Sequence, residues 1–248
     1  MWKVGLLITI LVFNGSCWLA QAQELSHDLK KSELLYKNDF SKASLVKDWV
    51  MEGPGEVEFR NGWMEMYSPD EAFHHVFWCP HDFPDSIMIE WEAQNLKPEA
   101  GLCIIFLAAK GENGVDIFDS DLPARDGDFT WYIKDRLNSY HISYYANTPV
   151  KPDRGESHLR KNNEFRLVQN GLEGIPTRSE AVHRLKLIKT GPRIAMYVDD
   201  RKIIDWIDTP ESDPRPYYRD GKIGFRQMQW THFRYRNLKV WKVESKKF

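Results

Sequence analysis

No long segment of this chain keeps the 3.6-residue apolar period of an amphipathic helix. The sequence is instead a succession of short apolar or alternating runs separated by turn residues, and that pattern constrains the fold more than any other feature. "EVEFR-NG-WMEMYS" sets two runs around Asn61-Gly62, a pair suited to a two-residue hairpin turn. In "SIMIEWEAQN", Ile87, Ile89, Trp91 and Ala93 fall on one strand face, and Met88, Glu90, Glu92 and Gln94 on the other. "GLCIIFLAA" is apolar throughout, as for a central strand covered on both faces. "FTWYIK", "YHISYY", "EFRLVQ", "VHRLKLIKTG", "RIAMYVDDRKIIDWID", "GKIGFRQMQW" and "FRYRNLKVWKV" read as further strands, with a reversal at Asp199-Asp200. Thirteen prolines and 15 glycines punctuate these runs. The series predicts an all-β, antiparallel jelly-roll sandwich forming one domain over residues 23–248, without internal repeats. Residues 146–158, "ANTPVKPDRGESH", form a long polar loop of the kind that often carries function.

The first 22 residues have one lysine, an apolar run from Val4 to Phe13, and Ala20-Gln21-Ala22 before Gln23. That is the layout of a secretory signal peptide, so an exported protein, periplasmic or secreted, is expected. No later run is apolar enough to span a bilayer, and no membrane insertion is expected after signal cleavage. With 34 basic and 36 acidic residues, the chain exerts no global pull on nucleic acid or anionic membrane. Anion binding must come from a local cluster. Beyond Cys17, the cysteines are Cys79 and Cys103, both in apolar strand-like runs. They could pair in an oxidising compartment, but their settings suit buried free thiols better. Most of the ten tryptophans are expected to fill the space between packed sheets.

Candidate chemistry centres on "SYHISYYANTP", residues 139–149. Strict alternation puts Tyr140, Ile142 and Tyr144 on the core face and His141, Ser143 and Tyr145 together on the open face. An imidazole and a phenol on one polar face form a plausible proton-transfer pair, since nearby cations can lower a tyrosine's pKa. "GKIGFRQMQW" turns Ile223 and Phe225 to the core and Arg226 outward, where its planar fork suits a carboxylate or sulfate. His141, Tyr145 and Arg226 are therefore the candidate catalytic residues. His75, Arg160, Lys161, Asn162 and Gln227 are the candidate substrate contacts.

Other constellations carry less. His74, His75 and His81 lie close in sequence, but adjacent strand histidines face opposite ways and the spacing matches no tight zinc motif, so no metal is expected. Asp116, Asp119, Asp121, Asp126 and Asp128 cluster without an EF-hand pattern; a structural calcium ion is a minor option, and no cofactor is required. Glu90 and Glu92 share a face and open a glycoside hydrolase alternative. A non-catalytic carbohydrate-binding module is a further alternative.

The runs "MEMYSPDEAFHHVFWCPHDFPDSIMIEWE", "GLCIIFLAAKGENGVDIFD", "YHISYYANT", "HLRKNNEF" and "GKIGFRQMQWTHFRYRNLKVW" resemble, in order, the YesU-like family. The resemblance spans nearly the whole chain after the leader. It implies a concanavalin A-like lectin/glucanase jelly roll and a place in bacterial breakdown of uronate-containing polysaccharides such as pectin side chains and ulvan. It further implies an acidic oligosaccharide substrate and a carbon–oxygen lyase activity, a dehydratase or lyase acting on the non-reducing-end uronate. No catalytic motif transfers with it, so the residue roles above rest on the residues themselves. They suit β-elimination. Loss of the C5 proton requires a cation or strong donors to neutralise the adjacent carboxylate, and a base within about 3 Å of the proton's carbon. Arg226, with Arg160 or Asn162, can neutralise; His141 and Tyr145 can divide the base and acid roles, in an order the sequence leaves open.

Overall fold

The computed structural model describes residues 29–245 except Asp135; the expected signal peptide lies outside the described residues. The strands are β1 (Leu29–Asn38), β2 (Val50–Glu52), β3 (Glu56–Arg60), β4 (Trp63–Tyr67), β5 (His75–Trp78), β6 (Ile87–Asn95), β7 (Gly101–Gly111) and β8 (Leu137–Asn147). They continue with β9 (Glu156–Asn162), β10 (Arg166–Glu173), β11 (Val182–Thr190), β12 (Arg193–Val198), β13 (Arg201–Ile207), β14 (Lys222–Gln227) and β15 (His232–Ser245). One short helix, α1 (Thr130–Ile133), stands where "FTWYIK" reads as a strand. That expectation is corrected: the segment lies on a sheet rather than in one, and its apolar residues cover the sheet's outer face.

All strand pairings are antiparallel and build two sheets. The seven-stranded sheet runs β10-β9-β8-β7-β14-β5-β2. The eight-stranded sheet runs β13-β12-β11-β6-β15-β4-β3, with β1 also paired to the long β15. The β3–β4 hairpin turns at Asn61 (φ 52°) and Gly62 (φ 78°), the positive-φ pair that a right-twisted hairpin needs. Between the sheets, Trp91 packs edge-on against Phe225 at 5.7 Å and Tyr144 at 5.9 Å. Each large side chain buried this way contributes about 1.5–3 kcal/mol. Cys79 and Cys103 are buried free thiols.

The seven-stranded sheet has a second apolar surface on its outer face. Val76, Trp78, Ile104 and Phe106 project away from the main core and are covered by Ile117, Phe129, Tyr132 and Ile133 of residues 112–134. This covering segment is pinned by one carboxylate. Glu52 Oε2 accepts from Trp78 Nε1 (2.9 Å), Tyr132 Oη (2.8 Å) and Arg125 Nε (3.1 Å), and Oε1 accepts from Arg125 Nη2 (2.6 Å). Close approach at Gly127 also seats the segment. Its φ is +94°, and a Cβ there would lie 2.0 Å from the His74 carbonyl oxygen.

Replacing Glu52 removes the partner of a buried guanidinium whose side chain is 6% exposed. Glu52→Ala should therefore lower unfolding free energy by roughly 3–5 kcal/mol in urea titrations. A loss below about 1 kcal/mol would mean that the pin contributes little.

Candidate functional site

The covering segment lies over the β5–β14–β7 half of the outer face and reaches His141 on β8 through Phe129; exposure rises only from β9, where His158 and Arg160 are half-buried. Under this segment lies Arg226. Its position on β14 opposite Val76 and Ile104 confirms that it faces outward, as alternation from Phe225 requires. Arg226 is only 2% exposed, and its guanidinium stacks over the Phe129 ring at 4.1 Å. Among the described residues it forms no hydrogen bond or ion pair, and its Nε is wholly buried without a partner. Burial pushes its pKa down to about 10, while Tyr132 and Asp128 favour the charge. A guanidinium desolvated this completely is costly unless something else satisfies it.

His141 sits two strands away, across β7, on β8 opposite Phe106 of β7 and Arg160 of β9. Phe106, Phe129 and Phe165 surround its ring at centroid distances of 5.5, 5.6 and 5.8 Å. Desolvation, then the charges of Arg160 and Arg226, pushes its pKa down to about 3, so it is neutral near pH 7. Asn162 Nδ2 lies 3.0 Å from His141 Nδ1 and 2.9 Å from Ser139 Oγ, and Asn162 Oδ1 is buried without a partner. With the amide donating, His141 presents Nε2–H. With the amide turned over, Oδ1 accepts from Nδ1–H and Nε2 keeps its lone pair. Arg160 stacks on Phe165 at 4.0 Å and donates from Nη1 to the Phe165 carbonyl at 3.3 Å. His74, at the rim, accepts the Gln229 N–H through Nδ1 at 3.1 Å. Burial, then Arg226, lowers its pKa to about 4 against the opposing effect of Asp128.

The structure thus brings together Arg226, His141, Arg160 and Asn162, and separates the other candidates from them. Tyr145 belongs to the core. Cys103 pairs with Tyr145 while Ile104 pairs with Ser143, so Tyr144 is the extra residue of a β-bulge and alternation breaks there. The Tyr145 hydroxyl then accepts from Asn95 of the opposite sheet at 2.9 Å. His75 and Gln227 also face inward. They are paired across β5 and β14, Gln227 donates to Tyr235 in the core at 2.9 Å, and the His75 ring packs where a Cβ at Gly55 would lie 2.5 Å from it. Lys161 points away from the site into a buried ion pair, its Nζ 2.8 Å from Asp208 and 2.9 Å from the Arg215 carbonyl it donates to.

Glu90 and Glu92, the residues of the hydrolase alternative, lie on the other sheet. Each is held there by a cation, Lys31 at 2.6 Å and Arg236 at 2.6 Å. His81 packs on Tyr36, apart from His74, and no group of three metal-ligating side chains occurs among the described residues. Sequence reasoning missed Phe129 and Phe165, which wall the site. Each lies in a run that reads as a strand, "FTWYIK" and "EFRLVQ", and nothing in either run marks it as a site wall. Two surface grooves lie elsewhere, about 240 Å³ between β10 and β13 and about 480 Å³ beside β2. Their charged pairs, Lys202–Asp205 and Arg125–Glu52, are already matched, so neither groove demands a counter-charge.

His74, His75 and His158 are held down to about pKa 4 and His141 to about 3, burial being the largest cause in each case. Between about pH 4 and the ordinary histidine value of 6.5, the unfolded chain binds protons that the fold does not. Stability should therefore rise with pH across this window and fall on acidification. Calorimetry should show a lower Tm at pH 5 than at pH 7, with a smaller difference in His141→Gln. Equal melting at both pH values would contradict these placements.

Comparison with known proteins agrees with the architecture. The chain is 34% identical over 214 residues to the uncharacterised protein YesU of Bacillus subtilis (strain 168), covering 85% of this chain and 96% of that protein. A crystal structure from Bacillus subtilis, described as a protein of unknown function with a galectin-like fold, superposes with a TM-score of 0.83 at 32% identity, covering 88% of this chain and all of that one. The Ca2+/Man3GlcNAc-bound exoplasmic/lumenal domain of VIP36 shares the fold at a TM-score of 0.56 and 11% identity, covering 86% of this chain and 92% of that one. Residues 33–240 match the family described as a domain of unknown function (DUF1961), and the chain belongs to that family.

Proposed function

We propose that this face binds the uronate at the non-reducing end of an acidic oligosaccharide and that the protein eliminates its 4-substituent, acting as a dehydratase or lyase. One observation carries the reading: Arg226, buried and stacked on Phe129, has no hydrogen-bond or ionic partner among the described residues. A carboxylate of a bound sugar would supply both. Its charge would be matched by a bidentate fork in a water-poor setting, where such pairing is strong.

Pairing the carboxylate with Arg226 lets the charge that develops on C5 deprotonation spread onto it. His141, with Asn162 turned to accept from Nδ1–H, takes the C5 proton at Nε2. The C5–H electrons form the C4–C5 double bond as the C4–O bond breaks, and the departing oxygen leaves with a proton. With Tyr145 turned into the core, one imidazole can do both jobs. It returns the proton to a leaving group on the same side of the ring, and water or a sugar departs.

Incubation with uronate oligosaccharides, followed by mass spectrometry, should show loss of one water or scission without water uptake, and new short-wavelength ultraviolet absorbance from the conjugated unsaturated product. Binding with unchanged mass would favour a non-catalytic carbohydrate-binding module. Arg226→Met should lower kcat/KM by about 100-fold or more, with wild-type activity contradicting the assignment.

The pH profiles separate free and bound enzyme. Free His141 titrates near 3, so kcat/KM should hold until the pH falls toward about 4. A bound carboxylate offsets the guanidinium charges and raises the His141 pKa, so the acid limb of kcat should lie at higher pH. Coincident limbs near 6.5 would contradict this.

A further inference from the structure

We infer that a second anion subsite lies beside the first, built by Arg154 with Ser143 and His158, and that it receives an acidic substituent on the sugar next to the terminal uronate. The inference rests on the uronate reading for its first position but on different side chains for its second.

Arg154 belongs to the loop between β8 and β9. Its Nη2 donates to Ser143 Oγ at 3.1 Å, which lays the side chain over the outer face of β8. Its Nε is buried and has no partner. No ion pair holds it among the described residues; Glu156 favours its charge only from a distance and is itself exposed. Ser143 is paired with His158 of β9, so Arg154, Ser143 and His158 meet at one point. Burial, followed by Arg154, Arg160 and Lys151, depresses His158 to about 4, which reports the same surplus of positive charge.

Register places this cluster. Ser143 is opposite Ile104, and Ile104 is opposite Arg226, so the two arginine-bearing positions are two strand spacings apart, about 10 Å at the backbone. Neighbouring sugars span such a distance. Direction follows from the covering segment, because Tyr132, packed on Trp78 of β5 and Phe106 of β7, closes the face on the β5 side of Arg226. A saccharide with its end at Arg226 extends toward the side where exposure rises, from β8 through half-buried His158 and Arg160 on β9 to exposed β10, and that course passes Arg154. The chemistry suits a carboxylate or a sulfate monoester equally, since both accept the guanidinium fork.

The test compares terminal uronates whose neighbouring sugar is neutral, carboxylated or sulfated. Wild type should prefer one or both acidic neighbours over the neutral one by about tenfold or more in Kd, and the preferred acid identifies the source of the charge. In Arg154→Met the ratio should fall toward one, while Arg154→Lys should retain part of it. Equal affinity for all three in wild type, or a ratio unchanged in Arg154→Met, overturns the inference. Inorganic sulfate separates it from the uronate reading. Sulfate-induced shifts of the His158 imidazole NMR signals should persist in Arg226→Met and vanish in Arg154→Met. If uronates fail to bind but this shift remains, the first reading falls and the second subsite stands; if Arg154→Met leaves the shift intact, the second falls alone.

Discussion

The carboxylate of Glu52 decides what the outer sheet face can be. It gathers donors from Trp78 on β5, Tyr132 on α1 and Arg125 in the covering segment, and so fixes residues 112–134 against a strand face that would otherwise expose Val76, Trp78, Ile104 and Phe106. Phe129 is carried in with that segment and comes to lie over Arg226. Without the pin, Arg226 would be an ordinary solvated cation on a sheet. With it, the guanidinium is buried and left without a hydrogen-bond partner among the described residues.

Charge elsewhere in the protein is handled differently. Lys161 is fully buried but meets Asp208, and Arg193 on β12 forks onto Asp205 at 2.8 and 2.9 Å. Arg125 meets Glu52. The molecule can therefore match a buried cation with a carboxylate, and at Arg226 and Arg154 it does not among the described residues. Both lie on one face, beside a histidine kept neutral by burial and by the charges of Arg160 and Arg226. The natural complement is an anionic ligand, and binding one would both satisfy the fork and restore basicity to His141.

Much of this was legible in the chain. Alternation in β6 and β14 correctly oriented Trp91, Phe225 and Arg226, and Asn61-Gly62 marked a hairpin. Alternation failed at Tyr145, because a bulge is a pairing event between β7 and β8 and leaves no mark in β8 alone. His75, a candidate substrate contact, faces the core because its apolar neighbour Val76 faces outward beneath the covering segment, so apolar character does not identify the core side there. The same second apolar layer made "FTWYIK" look like a strand. Lys161 looked like part of a cationic loop because its partners, Asp208 and Asp213, lie far along the chain.

The central claim is that Arg226 is a carboxylate receptor within a walled sugar site. Calorimetric titration with glucuronate and with glucose tests it most directly. Glucuronate should bind and glucose should not, and Arg226→Met should abolish the difference while its circular dichroism stays that of the wild type. Equal binding of the two sugars, or glucuronate affinity unaltered in Arg226→Met, would contradict the account.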